Sequence, residues 1–246
     1  MTLAEPSVFD LPTPTGPMRV HRFAPAQGDF PAVILYSEIY QVTGPIRRLA
    51  ARLGGEGFEV LVPEVYHEYE APGSVLAYDK EGTDRGNFLK AEKSVSGHDG
   101  DAQALLDWIV GREAYRGRNV GTLGFCLGGH LAFRAALDPR VGAAACFYAT
   151  NLHTADLGQR DNTLARSGEI AGELLLIWGR QDPHVPLEGR KRIYDVLTEK
   201  GRSFQWHEFN AAHAFARDEG PRYDAAAARI AWELTVELFK RRLCTL

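Results

Sequence analysis

The sequence feature that most constrains this chain is a turn in which a cysteine stands between glycines. An apolar run that begins at Val120 ends at Gly124, Cys126 follows two residues later, and two more glycines precede an apolar stretch with helical spacing. Glycine has no Cβ atom, so a strand and a helix can approach closely around a cysteine at the tip of such a turn. The pattern predicts a strand, a sharp turn and a helix. Its cysteine is either a nucleophile or a buried structural residue.

Short apolar runs alternate with amphipathic stretches along most of the chain. Such runs are typical of buried parallel strands, and repeated strand–helix units predict an α/β fold with a mostly parallel central sheet and helices on both faces. A length of 246 residues suits one domain. The stretch from about 64 to 97 shows no clear amphipathic periodicity until its end, which predicts an irregular, lid-like excursion. The predicted strands are 18–24 (an edge strand or hairpin), 31–36, 58–63, 120–124, 141–148, 173–178 and 204–209, and the predicted helices are 43–53, 99–112, one from 127, 187–198 and 223–243.

Composition excludes several classes of partner. A net charge of −4 and an isoelectric point near 6.1 give no electrostatic reason to expect nucleic acid or an anionic membrane. We find no signal peptide, no membrane-length apolar run and no structural-zinc spacing, so we expect a cytoplasmic protein without a metal. The three cysteines are odd in number, which favours reduced thiols; we expect Cys146 to be a packing residue and Cys244 a tail residue. The sequence does not determine the oligomeric state, and a monomer is compatible with it.

Three chemically reactive residues each follow a predicted strand. Cys126, Asp182 and His213 occur in the order nucleophile, acid and base, which is the order in α/β-hydrolases. Singly, Asp182 before a proline is a good turn-former, and His213 could be a surface residue. Together they favour a catalytic triad, because the carboxyl ends of parallel strands meet at one edge of the sheet. His184 is too close in sequence to Asp182 to be the preferred base.

The triad suits nucleophilic catalysis at an acyl carbon. A free thiol with a pKa of about 8.5 is mostly protonated at neutral pH, so it needs a base such as His213, held in one tautomer by Asp182. Attack on a carbonyl also creates an oxyanion that needs hydrogen-bond donors already in place. We expect these donors to be the backbone N–H groups of Leu127 and Ile39.

Four segments of the sequence resemble the dienelactone hydrolases, also called carboxymethylenebutenolidases. The resemblance covers residues from about 32 to 239 and implies a hydrolase that opens a small lactone without any cofactor. It also implies that Glu38 contacts the thiol at rest and helps to form the thiolate; the alternative is a solvated loop carboxylate. The segments are Glu38-Ile39-Tyr40, Gly124-Phe125-Cys126-Leu127-Gly128-Gly129, the stretch 179–186 around Asp182, and His213-Ala214-Phe215-Ala216-Arg217.

The same resemblance implies residues that bind the substrate. The family holds a substrate carboxylate with arginines, which match Arg217 and, less directly, Arg85; Tyr40 is expected to line the site. The sequence departs from the family pattern at Leu89, where the family has tyrosine, and at Gln41, where it has glycine. Acidic residues in the excursion, such as Glu68, Asp79 and Asp84, would disfavour an anionic substrate. A general carboxylesterase or thioesterase, and a binding protein without turnover, therefore remain alternatives.

Overall fold

The computed structural model describes residues 1–115, 117–159 and 161–244. One eight-stranded sheet runs through this part of the chain in the order β1-β2-β4-β3-β5-β6-β7-β8. The strands are β1 (Ser7–Thr13), β2 (Gly16–Phe23), β3 (Ala32–Tyr36), β4 (Glu59–Pro63), β5 (Val120–Phe125), β6 (Val141–Phe147), β7 (Glu173–Gly179) and β8 (Phe204–Phe209). The α-helices are α1 (Gly44–Gly55), α2 (Lys80–Glu92), α3 (Val95–Val110), α4 (Leu127–Ala135), α5 (Leu187–Glu199) and α6 (Ala225–Leu243).

In the order given, the sheet is parallel from β4 to β8, and the antiparallel pairs among the described strands are β1 with β2 and β2 with β4. Side chains of a strand alternate between faces, and in β3 both sets are apolar: Ile34 and Tyr36 face one core, Val33 and Leu35 the other. Helices α3, α4 and α5 cover the first face, and α1 and α6 cover the second. The predicted α/β-hydrolase architecture is confirmed.

The segment predicted to be irregular contains a regular helix, so that prediction was wrong in part. Helix α2 buries only Gly82, Gly86 and Leu89, which leaves no apolar stripe to read in the sequence. A cap starts the helix instead: the Asp79 side chain accepts a hydrogen bond from the Gly82 N–H at 2.8 Å. Glycines then let the helix pack closely, because a Cβ at Gly86 would lie 2.6 Å from the carbonyl oxygen of Ile39.

Element boundaries elsewhere shift by a few residues. Helix α3 begins at Val95 rather than residue 99, because the Ser94 side chain caps it by accepting from the Gly97 N–H at 3.0 Å. The predicted edge strand is half of a hairpin whose other strand, β1, is largely exposed and shows little alternation. No described helix combines the length and apolar character that crossing a membrane would require.

Candidate active site

The cysteine turn adopts a backbone conformation that is unusual for a side chain other than glycine. Cys126 has φ 58° and ψ −118° between β5 and α4. Such a conformation costs on the order of 1–3 kcal/mol and persists only where surrounding structure imposes it. The glycines before and after it are sterically required, since a Cβ at Gly124 would collide with the backbone of Gly128, and one at Gly128 with the carbonyl of Tyr36. The sequence motif is therefore a steric device that presents one thiol.

Backbone hydrogen bonds hold Cys126 in this strained conformation. Its N–H donates to the carbonyl oxygen of Phe147 at 3.1 Å. Its own carbonyl oxygen accepts from the N–H groups of Gly129 at 3.0 Å and Thr150 at 3.3 Å. The thiol is thus fixed relative to both β6 and α4.

His213 lies between an acid and this thiol. Its Nδ1 is 2.7 Å from Asp182 Oδ2, and its imidazole also interacts with Cys126. Asp182 and His213 are 3% and 5% exposed, and the second carboxylate oxygen of Asp182 accepts from the His184 N–H at 2.8 Å. The Tyr148 ring packs edge-on against the imidazole, with centroids 5.0 Å apart. The structure therefore brings the three predicted triad residues together in a chain of contacts.

The charges of the triad act strongly on one another. Burial lowers the pKa of His213, but the negative charge of Cys126 and the hydrogen bonds to Asp182 and Cys126 outweigh it and raise the pKa to about 10. Burial raises the pKa of Asp182, but the hydrogen bond from His213 and its charge outweigh that, so the pKa is lowered. The surroundings of His213 therefore favour the protonated imidazole.

Leu127 and Ile39, whose backbone N–H groups we expect to bind the oxyanion, lie on either side of the cysteine turn's cavity edge: one begins α4 and the other follows β3. Leu127 is the first residue of α4, where a helix leaves its N–H groups without intrahelical partners. Ile39 follows β3 and lines the cavity in front of Cys126. Gly86 lets α2 pack closely against Ile39, so α2 helps to fix that backbone.

Glu38 is held by an ion pair beside the triad. It is 3% exposed, so it is not the solvated loop carboxylate of the alternative reading. Its Oε2 accepts from Arg217 Nη1 at 3.3 Å, and the guanidinium carbon of Arg217 lies 4.1 Å from the centroid of the Tyr78 ring. Tyr78 in turn is 2.8 Å from the Thr43 hydroxyl. The Glu38 carboxylate and Arg217 therefore neutralise each other at one wall of the site.

A cavity of about 220 Å³ opens in front of the thiol. Of the predicted residues, those that line it are Glu38, Ile39, Tyr40, Cys126, His213 and Arg217. The residues that sequence reasoning did not assign to the site are Thr83, Asn87, Lys90, Thr150, His184, Ala214 and Arg222. Three of them belong to α2, where the sequence carries no motif, and the others lie in loops after strands.

A model of the dienelactone hydrolase family matches residues 18–243. The chain belongs to the dienelactone hydrolase family. It is similar to a Saccharomyces cerevisiae protein provisionally named a carboxymethylenebutenolidase, with 42% identity over 239 residues that cover 92% of this chain and 87% of that protein. It is also similar to the carboxymethylenebutenolidase of Pseudomonas putida, with 28% identity over 212 residues and 85% of each chain covered. As a member of the family, the chain is a hydrolase.

Solved structures show the same fold. A Klebsiella pneumoniae protein provisionally named a dienelactone hydrolase superposes with a TM-score of 0.85 at 20% identity, covering 98% of this chain and all of that one. Acylaminoacyl peptidase from Pyrococcus horikoshii superposes with a TM-score of 0.74 at 15% identity, over 43% of its own length. The likeness extends beyond the dienelactone hydrolase family to other α/β-hydrolases.

One predicted substrate residue lies away from the cavity. Arg85, on α2, pairs through Nε with Glu70 Oε1 at 2.7 Å, and its side chain is 42% exposed. It stacks over Phe88 with the guanidinium carbon 5.4 Å from the ring centroid, on the outer side of the helix. The arrangement that the dienelactone hydrolase resemblance implied for Arg85 is not the one in the structure.

The acidic residues of the excursion also face away from the cavity. Glu68 pairs with Lys93, Asp79 caps α2, and Asp84 pairs with Lys80. Among the described residues that line the cavity, Glu38 is the one carboxylate. The acidic residues of the excursion therefore add no carboxylate to the described cavity wall.

A second cluster of possible ligand atoms already holds an internal cation. His67, Glu68 and Asp101 have ligand atoms within 4.8 Å of one another. The fully buried Lys93 ammonium lies among them, 2.5 Å from Glu68 Oε1, 2.6 Å from Asp101 Oδ2 and 3.4 Å from His67 Nε2. We interpret the cluster as an anchor between the excursion and α3, with lysine in the position a metal would take.

Proposed function

We propose that this chain hydrolyses a small lactone or ester through an acyl-enzyme on Cys126, without a cofactor. The observation that carries the proposal is His213 contacting both Asp182 and Cys126 at a cavity of about 220 Å³. The family membership and the relatives named for carboxymethylenebutenolidase activity support a lactone as the substrate class.

In the first half-reaction, the sulfur electron pair attacks the acyl carbon and forms a C–S bond. The carbonyl π electrons move onto oxygen, where the N–H groups of Leu127 and Ile39 stabilise the charge. When this intermediate collapses, the C–O bond breaks and His213 gives its proton to the leaving oxygen. In a lactone the leaving oxygen stays attached through the opened ring.

In the second half-reaction, water adds to the thioester while His213 takes one of its protons. Collapse then breaks the C–S bond, releases the carboxylic acid and returns the sulfur to its starting charge. Asp182 holds the imidazole in the tautomer that both steps require, through the 2.7 Å contact to Nδ1. Arg217 balances the Glu38 carboxylate, so that a buried negative charge does not oppose the one on sulfur.

Rapid-quench intact-mass spectrometry with phenyl acetate as a neutral test ester checks the proposal. We expect an acetyl adduct on Cys126 that forms and decays during steady-state turnover. Cys126→Ala should lose both adduct and turnover while keeping the fold. The matched control is Cys244→Ala, because Cys244 is an exposed thiol near the end of α6. Turnover retained in Cys126→Ala would overturn the proposal, as would an adduct that never clears, which would indicate a binding protein.

A further inference from the structure

One hydroxyl group in the cavity wall has no partner within the protein. Thr150 follows β6 and lines the cavity in front of Cys126. It is 6% exposed, and its Oγ1 is the one buried side-chain oxygen or nitrogen of the described cavity wall that makes no hydrogen bond. Leaving a buried polar group unpaired costs folding free energy, and most such groups in native proteins are paired. Because this exception lies at the cavity, a bound molecule is the partner that would satisfy it.

The backbone of Thr150 is fixed beside the cysteine turn. Its N–H donates to the carbonyl oxygen of Cys126 at 3.3 Å, and its own carbonyl oxygen accepts from His130 Nδ1 at 2.8 Å. Nearby, Tyr148 and Asn151 have φ of 37° and 66°, a strained conformation that persists only where surrounding contacts impose it. Both backbone polar groups of Thr150 are thus used in holding the residue next to Cys126, and the hydroxyl is left over.

A second threonine in the same cavity wall provides the contrast. The Thr83 hydroxyl donates to the carbonyl oxygen of Asp79 at 2.6 Å and lies 2.9 Å from the Tyr40 hydroxyl. Its hydrogen bonds are therefore made within the first turn of α2 and with a neighbouring side chain. Two residues of one type line this cavity, and only the hydroxyl of Thr150 is available to a ligand.

The position of Thr150 indicates which part of a substrate it meets. Cys126 carries the acyl group in the proposed reaction, and Thr150 is hydrogen-bonded directly to that residue. The leaving oxygen, by contrast, takes its proton from His213. A threonine hydroxyl both donates and accepts, so another hydroxyl complements it. We propose that Thr150 is a specificity-determining residue that hydrogen-bonds a hydroxyl group on the α-carbon of the acyl part, which makes α-hydroxy esters and lactones the preferred substrates.

This inference rests on the proposed hydrolase function and narrows its substrate class. A site that hydrogen-bonds a substrate hydroxyl discriminates against the analogue that lacks it, because the polar group of the protein is then left buried and unpaired. An apolar side chain in the same place gives little discrimination between the two. The preference therefore depends on one oxygen atom and on no charge.

Phenyl glycolate and phenyl propanoate test the proposal, because they differ only in a hydroxyl or a methyl group on the α-carbon. In Thr150→Val, which keeps the shape of the side chain, we expect the ratio of kcat/KM for phenyl glycolate to that for phenyl propanoate to fall about tenfold. Thr150→Ser keeps the hydroxyl, so its ratio should stay within about twofold of the parent value. Thr83→Val is the matched control, and its ratio should also stay within about twofold, because its hydroxyl is already paired.

Urea unfolding provides a readout that a structural role of the hydroxyl would move in the opposite direction. Since Oγ1 of Thr150 has no partner in the folded protein without a ligand, Thr150→Val should leave the urea midpoint unchanged or raise it. A lowered midpoint would show that the hydroxyl makes a structural hydrogen bond and would overturn the subsite.

The kinetic outcomes are equally decisive. A ratio in Thr150→Val that stays within about twofold of the parent value, against the tenfold expected for one hydrogen bond, would overturn the proposal, and so would an equal fall in Thr83→Val. Equal falls in kcat/KM for both esters would place the hydroxyl on water or on the leaving group and would overturn its assignment to the acyl part.

Failure of the proposed hydrolase function is distinguishable, because it would appear as turnover of both esters in Cys126→Ala. Equilibrium binding of the two esters to Cys126→Ala tests the subsite without turnover. We expect the Kd values to favour phenyl glycolate, and adding Thr150→Val should remove that preference. Equal Kd values for the two esters in Cys126→Ala would contradict the subsite.

Discussion

Two of the buried histidine–aspartate pairs in the described part of the chain have similar geometry but lie at different depths. In one, His213 Nδ1 lies 2.7 Å from Asp182; in the other, His130 Nε2 lies 3.1 Å from Asp161. The first pair turns its second ring nitrogen toward Cys126 and the cavity. The second pair is 0% exposed at both side chains, so it has no access to a substrate.

The difference lies in what the remaining nitrogen contacts. His130 Nδ1 is 2.8 Å from the carbonyl oxygen of Thr150, and its Nε2 also lies 3.0 Å from the Thr163 hydroxyl. Both nitrogens are thus used in tying α4 to the segment that follows β6. Arg134 completes this network by donating to Thr163 at 2.8 Å. A histidine–carboxylate pair becomes a catalytic element only when one nitrogen is left for a reacting group.

Replacing each of the two histidines in turn gives the strongest test of the difference between the pairs. His213→Gln should lower kcat/KM for phenyl acetate by about 10⁴-fold, since it removes the general acid and base. His130→Gln should act mainly on stability, lowering the free energy of unfolding by about 2 kcal/mol through lost buried hydrogen bonds. Steady-state kinetics and urea unfolding of both variants make the test. Comparable losses of activity at equal stability would show that the two pairs are functionally alike.

Replacing Asp182 and Asp161, one at a time, should give a smaller difference in activity than replacing the two histidines. Asp182→Asn keeps the shape but loses the preferred tautomer of His213, so we expect kcat/KM to fall about 10³-fold or more. Asp161→Asn weakens a buried network that includes Arg134, 3.5 Å from Asp161, so we expect a loss of about 3 kcal/mol in stability. The same two measurements apply. Activity lost in proportion to the folded fraction in Asp182→Asn would contradict a catalytic role.

The sequence predicted the cysteine turn because steric necessity leaves a local signal. Gly124 and Gly128 are required by backbone contacts within a few residues of Cys126 or with the neighbouring strand β3. Asp182 and His213 could be placed because each follows an apolar run, and parallel strands end at one edge. Gln41 occupies φ 68°, which explains why the family usually has glycine there.

The rest of the site could not be predicted, because its residues are positioned by contacts distant in sequence. Lys90 enters the cavity only because α2 forms, and α2 has a glycine-lined face instead of an apolar stripe. Arg85 matched a family position, yet its pairing with Glu70 turns it outward. His130 shows the converse: nothing in its local sequence separates a core histidine from a catalytic one.

The pKa of His213 can be measured directly, which tests its interaction with Cys126 without relying on turnover. Burial lowers the pKa of His213 and the negative charge of Cys126 raises it, to a net value of about 10. Cys126→Ala removes that negative charge while burial persists, so the pKa should fall toward the ordinary value of about 6.5. NMR titration of the His213 ring in parent and variant measures this. An unchanged pKa in Cys126→Ala would mean that the imidazole is protonated for a reason other than the thiol.

The pair of Glu38 and Arg217 offers the smallest and most discriminating effect, because it lines the cavity without belonging to the triad. Arg217→Gln leaves a 3% exposed carboxylate uncompensated, and the added negative charge opposes the one on sulfur. We expect kcat/KM to fall about tenfold for neutral and anionic esters alike, as for the loss of one charged hydrogen bond. Glu38→Gln in the same background should recover part of the stability lost in Arg217→Gln, because no unpaired charge then remains. A much larger fall for anionic esters than for phenyl acetate would instead make Arg217 a carboxylate clamp and would remove the neutralising role argued for it.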